Sequence, residues 1–149
     1  GEMAEELTIP SSKNEISQCE FQSFEFLKKV IFDQPSSVVG IKYRSFAGCL
    51  QLVEITIPTS VNYIETEAFL NCKSLQIVNF AEPSSMKTIV KRTFCNCDSL
   101  KKIRIPASVK TIRTNAFDNC RFIRKVEITS HDTRVEYNAF HYFTDVVYI

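Results

Sequence analysis

The chain has 149 residues, enough to bury a core, and a hydrophobic content of 44% describes a folded protein rather than a disordered one. Eighteen Lys and Arg meet 17 Asp and Glu, so net charge argues for neither nucleic acid nor a membrane surface, and any electrostatic attraction must be local. Three glycines exclude collagen-like and linker-like chains, and no stretch approaches the roughly 18 apolar residues that would cross a bilayer.

Taken in chain order, the acidic start Gly1-Glu2-Met3-Ala4-Glu5-Glu6 is unlike a secretory signal. Residues 1–6 are expected to be a linker or an appended scar, and 7–149 a single domain of six repeats, the last incomplete. From Lys13 onward one unit recurs. It opens on a turn such as Ile57-Pro58-Thr59-Ser60-Val61, continues through a short extended piece, reaches a Phe, and closes on a strand such as Leu100-Lys101-Lys102-Ile103-Arg104-Ile105. That closing segment alternates with period two and stops at a proline, which is strand behaviour. The segment Asn115-Ala116-Phe117-Asp118-Asn119-Cys120 is too short for a stable helix, and a helical or 3-10 turn is predicted there.

The Phe column holds Phe21, Phe46, Phe69, Phe94, Phe117 and Phe140, at steps of 25, 23, 25, 23 and 23 residues. Five residues earlier stand Ile16, Ile41, Ile64, Ile89, Ile112 and Val135; three later, Phe24, Cys49, Cys72, Cys97, Cys120 and Phe143; six later, Leu27, Leu52, Leu75, Leu100, Ile123 and Val146; nine later, Val30, Ile55, Val78, Ile103, Val126 and Ile149. The longer steps come from insertions at Pro-Ser turns, Phe32-Asp33-Gln34-Pro35-Ser36-Ser37-Val38 and Phe80-Ala81-Glu82-Pro83-Ser84-Ser85-Met86. One coil cannot bury its apolar side alone. Stacking coils about 4.8 Å apart lets like residues cover one another and build a continuous core.

Units such as Ile57 to Val61 followed by Ile64, Ala68-Phe69, Asn71-Cys72 and Leu75 resemble BspA-type leucine-rich repeats, a class of about 23 residues found in bacterial and protist surface proteins. The resemblance implies a leucine-rich-repeat solenoid of the α/β class, rich in β: a right-handed superhelix with one parallel sheet on the concave face and short extended or 3-10 segments opposite. It also implies a non-enzymatic interaction module at the cell surface or secreted, acting in adhesion or host-matrix binding. The first repeat departs from the pattern at Lys13, Glu20 and Phe24, as a terminal coil does.

Four cysteines, Cys49, Cys72, Cys97 and Cys120, fall in one column and are expected to be buried thiols donating to neighbouring carbonyls, with disulfides between coils as the alternative. Cys95 is expected to be the more exposed thiol. A lone C-x-C at Cys95 and Cys97 is no zinc site, and the two histidines, His131 and His141, lie away from any nucleophile pattern, a Cys120 with His131 pair being disfavoured by burial of the thiol. With no phosphate-loop, dinucleotide, hydrolase or metalloprotease motif, neither catalysis nor a cofactor or metal is expected.

Function is then expected on the exposed strand rows, Lys29, Glu54, Ile77, Lys102, Lys125 and Tyr148 beside Ile31, Thr56, Asn79, Arg104 and Glu127, with Ile31, Ile77 and Tyr148 as apolar anchors. Between Lys101 and Lys125 eight basic residues meet one acid, Asp118, and Lys101, Lys102, Arg104, Arg124 and Lys125 form a basic patch. Lys101 beside Arg124 and Lys102 beside Lys125 invite an anion, from an acidic protein, an extracellular-matrix protein or an acidic glycan. The bland alternative is a solvated face relieved by Glu127. Nucleic acid is not indicated without a matching fold. Two other roles stay open: an intracellular scaffold, and the recognition segment of a larger enzyme.

Overall fold

The computed structural model describes residues 3–149; Gly1 and Glu2 of the expected linker lie outside the described residues. Odd-numbered strands are the four-residue alternating segments: β1 (Glu6–Ile9), β3 (Lys29–Phe32), β5 (Glu54–Ile57), β7 (Ile77–Phe80), β9 (Lys102–Ile105), β11 (Lys125–Ile128) and β13 (Asp145–Tyr148). Between them lie two-residue strands: β2 (Glu15–Ile16), β4 (Gly40–Ile41), β6 (Tyr63–Ile64), β8 (Thr88–Ile89), β10 (Thr111–Ile112) and β12 (Arg134–Val135). Each coil therefore runs long strand, short strand, turn, and strands of adjacent coils pair in parallel except between β7 and β9 and between β6 and β8. Pleating sends alternate side chains to opposite sides, so Val30, Ile55, Val78, Ile103 and Val126 are buried while the residues between them face outward.

The turn side contains no helix among the described residues, which corrects the expected 3-10 segment. Amides do donate three residues back in succession, as from Ser45 to Lys42, Ala47 to Arg44 and Cys49 to Phe46. Left-handed residues interrupt each run before a helix can propagate: Glu67 and Asn71, Arg92 and Asn96, Asn115 and Asn119 all have φ near 60°. Asparagine tolerates that region best, and three of these form a side-chain ladder, Asn119 Nδ2 donating to Asn96 (2.7 Å) and Asn96 Nδ2 to Asn71 (2.8 Å). Coils are also joined here by backbone bonds running forward, Phe69 to Thr93, Phe94 to Ala116 and Phe117 to Ala139.

Inside, the six phenylalanines stack face to face along the solenoid, with centroids 5.5, 5.4, 5.3, 5.1 and 4.7 Å apart from Phe21 to Phe140. Phe46, Phe69, Phe94 and Phe117 are wholly buried, whereas the terminal pair is only partly covered. Beside them the thiols of Cys49, Cys72, Cys97 and Cys120 donate to the carbonyls of Phe21, Phe46, Phe69 and Phe94 in the preceding coil. All six cysteines are free, and burial pushes the Cys49 thiol up to about 12 and those of Cys72 and Cys97 higher than usual as well. Cys95 is buried too, contrary to expectation, with the Arg92 guanidinium donating to its sulfur at 3.5 Å; Cys19 is the exposed thiol.

The first coil closes on its own irregular residues. Lys13 pairs with Glu20, whose other oxygen accepts from the Ser17 amide, and the Phe24 ring meets Phe21 edge-on at 5.6 Å. The last coil is shorter than its columns suggest. Its long strand starts five residues after Phe140 instead of eight, so Asp145 stands opposite Lys125 and Tyr148 opposite Ile128. Tyr148 therefore leaves the row in which the sequence placed it, and Val146, not Ile149, is aligned with Val126.

The long strands divide into two sheets instead of one, β1-β3-β5-β7 and β9-β11-β13. Proline explains where pairing weakens. The residue after each long strand donates its amide to the preceding coil, as Asp33 does to Ile9, Ala81 to Ile57 and Thr129 to Ile105. After β5 and β9 that residue is Pro58 or Pro106, which has no N–H to offer Phe32 or Phe80. Each of those partner coils also carries an insertion. The β3–β5 ladder accordingly holds only at Lys29 with Glu54 and Val30 with Ile55, and β7 and β9 are not hydrogen-bonded at all.

Candidate functional site

Backbone alternation alone decides which side chains face outward on the long-strand side, so the residues there are free to differ from coil to coil. Register within the two sheets, carried across the β3–β5 and β7–β9 junctions by the sequence repeat, gives one outward row of Glu6, Lys29, Glu54, Ile77, Lys102, Lys125 and Asp145 and a second of Thr8, Ile31, Thr56, Asn79, Arg104, Glu127 and Val147. Ten of the eleven residues expected on the exposed strand rows, all but Tyr148, thus lie on adjacent rows of one surface. Glu6, Thr8, Asp145 and Val147 were missed because the sequence columns ran three residues out of step in the last coil and started late in the first.

Electrostatics varies sharply along this face. Lys29 and Glu54 approach to 3.6 Å across β3 and β5. Lys102 and Lys125 are direct neighbours, as expected, and both turn to Glu127 at 3.3 and 3.6 Å. Hydrogen bonding from Lys102, then the charge of both lysines, holds the Glu127 carboxyl below the usual carboxylate range against a desolvation penalty. Arg104, aligned with Glu127, is left without an acidic partner among the described residues, and so are Lys101 and Arg124; Arg124 reaches only the carbonyl of Arg121.

Between β7 and β9 the surface is indented. A hollow of about 390 Å³ is lined by Gln76, Ile77, Ser99, Lys101 and Lys102, and another of about 360 Å³ continues past Asn79, Arg104 and Glu127. Ile77 stands between them with 43% of its surface exposed, in a row where the other long strands carry charge. Ile31, the second expected anchor, is only half-exposed. Sequence reasoning named Ile77 and the basic residues separately; Pro106, opposite an insertion-bearing coil, was the signal that could have joined them.

On the turn side lies a second charged cluster that periodicity did not reveal. Glu67, nearly buried, accepts from Arg44 Nε at 2.7 Å and pairs with Arg92 at 2.8 Å, so three successive coils share one carboxylate. The hydrogen bond from Arg44 leads in holding this carboxyl below its ordinary range, helped by the charges of Arg44 and Arg92 and by Tyr43. Both of its oxygens are engaged by these partners, which makes it a clamp between coils. His131, considered with Cys120, instead stacks on Tyr148 at 5.7 Å, while the Cys120 thiol is held by Phe94. No group of three or more metal-ligating side chains gathers among the described residues, and no described helix is long and apolar enough to cross a membrane.

Comparisons with known proteins fit this geometry. A family model described as the BspA type leucine-rich repeat region matches residues 14–147 in six copies. The structure resembles the pneumococcal vaccine antigen PcpA, with a TM-score of 0.81 and 32% identity over 86% of this chain and 31% of that one. It resembles a leucine-rich repeat protein of T. pallidum at a TM-score of 0.77 and 30% identity, covering 85% of this chain and 59% of the other. A leucine-rich cell surface protein from Faecalibacterium prausnitzii shares the fold at 19% identity and a TM-score of 0.50, over 89% of this chain and 59% of that one. The chain therefore spans between a third and three fifths of the length of these structures. Comparison with curated protein sequences finds no match.

Proposed function

The chain belongs to the BspA-type leucine-rich-repeat family, and from that premise we propose that it is a non-enzymatic protein-interaction module that binds through its long-strand face, taken as the concave side, in adhesion or host-matrix contact at the cell surface. One observation carries this: on a scaffold whose inner columns repeat from coil to coil, the outward rows change from Glu and Lys to Ile, Asn and Arg. Packing explains the constancy of the core but places no demand on the outward side chains, whose variety suits recognition of a particular surface. The relatives' descriptions as a vaccine antigen and a cell surface protein agree with exposure to a host. The domain taken to do this is 7–149, and its ligand a protein or an acidic matrix component.

The test is charge reversal. Lys102, Arg104 and Lys125 replaced together by Glu should weaken binding to immobilised matrix proteins by about tenfold or more, measured by surface plasmon resonance. Affinity that stays unchanged for a partner bound by the parent protein removes this face from the site.

A further inference from the structure

We propose that the gap between β7 and β9 is the anchoring point of the binding face, and that its occupant is an extended acidic polypeptide segment. A single apolar side chain of that segment seats against Ile77, and flanking carboxylates meet Lys101 and Arg104. This rests on the interaction role proposed above and adds the place and chemistry of the contact.

Three independent features converge there. First, the strands on either side are not hydrogen-bonded to each other, and two hollows of about 390 and 360 Å³ open along them, where the half-closed β3–β5 junction has one of about 300 Å³. Second, Ile77 interrupts a row of charged residues and is the exposed apolar side chain of the two outward rows between β3 and β11. An apolar residue inside a hollow, ringed by polar groups, has the anatomy of an interface anchor: burying it gains affinity, and the rim excludes water. Third, Lys101 and Arg104 border the two hollows without acidic partners, so their charge is available to a ligand. They stand three positions apart on nearly extended chain, roughly 10 Å, a separation that two carboxylates on one extended peptide can bridge around a central apolar residue.

Charge also argues for a polypeptide over a sulfated glycan. Glu127 sits between Lys102 and Lys125 and is engaged by both, and Glu54 lies across the face beside Ile77. A densely anionic chain crossing the patch would run over these two carboxylates, and it has no apolar group to offer Ile77. A peptide carrying isolated acids about one apolar residue avoids both conflicts.

The experiment uses the full chain and a synthetic peptide of alternating Glu and Ser with one central Leu. Binding is followed by isothermal titration at about 50 and about 300 mM sodium chloride. Expected is binding that falls with salt, weakens at least about fivefold in Ile77→Ser and recovers in Ile77→Val, with a comparable loss in Lys101→Ala and Arg104→Ala. Leu50→Ser, at an exposed apolar residue off both outward rows, should leave it within about twofold. Replacing Leu by Ser in the peptide should abolish the sensitivity to Ile77. Binding that is indifferent to Ile77→Ser overturns the proposal, as does tighter binding of a heparin oligosaccharide that depends on the same cations. If the peptide fails to bind while charge reversal at Lys102, Arg104 and Lys125 still abolishes matrix-protein binding, the anchor is wrong and the broader interaction role stands.

Discussion

The β3–β5 and β7–β9 junctions begin from the same defect and end differently. In both, a coil enlarged by an insertion faces a strand that is followed by proline, so the carbonyl of Phe32 or Phe80 loses its expected donor. At the first junction the repair is local: Gln34 Nε2 donates back to the Phe32 carbonyl at 3.2 Å, and Lys29 reaches Glu54 across the strands. At the second, Gln34 is replaced by Glu82, which carries no donor and accepts from the Ser84 amide, and the row position offers Ile77 opposite Lys102. A hydrogen-bond donor and a charge pair thus separate a ladder that half closes from one that stays open. Irregularity in a repeat becomes a surface feature where nothing compensates it.

The comparison can be broken most severely through the core. Phe94→Ala should cost about 3 to 5 kcal/mol, and more than Phe46→Ala, because at the open junction the ring stack at 5.1 Å stands without long-strand pairing beside it. Urea melts of both variants measure this, and a larger loss at Phe46 would show that the open junction is held by something other than the stack. Next comes Glu67→Gln, expected to cost about 2 kcal/mol by removing charge-assisted bonds that tie the coils on the turn side. Because the folded-state carboxyl titrates below its unfolded value, its stabilisation is complete above the unfolded value, near pH 4.3, and is lost as pH falls through the folded value. Melts at pH 7 and at about pH 3 should therefore differ less in the variant than in the parent.

Smaller effects sharpen the contrast itself. Gln34→Ala should cost about 1 kcal/mol, whereas Glu82→Gln, by supplying the absent donor to Phe80, should gain up to about 1 kcal/mol. Amide exchange across β9 would report whether the gap has narrowed. Smallest of all, Lys102→Ala on the exposed row should stay within about 0.5 kcal/mol by thermal melting, since a solvated side chain on this face contributes to recognition and little to folding.

Much of this is legible in the sequence, because a repeat states the same pattern several times. The columns of Phe69, Ile64 and Leu75 each occur six times, and stacking is the only way such coils bury them. What escaped is what does not repeat. The shift of Tyr148 depends on three residues missing from the last coil, a local geometry that a column fitted to the other five hides. The burial of Cys95 and the clamp at Glu67 lie by left-handed turns that recur in every coil, but the first of their two columns holds Cys19, Arg44, Glu67, Arg92, Asn115 and Asn138, too varied in residue type to mark itself in the sequence. The gap beside Ile77 was written in Pro106 and Glu82, yet only register reveals that these positions face the coil they affect.

Unbroken bonding along the turn side has a mechanical consequence. From Phe21 through Phe117 the amides there link coil to coil without interruption, while the opposite side is divided between β7 and β9. Such a body is stiff along one edge and compliant along the other, so flexing concentrates at the division and changes the width of the indentation beside Ile77 far more than the spacing of the asparagine ladder. A partner wedged into that indentation would set the curvature of the whole molecule.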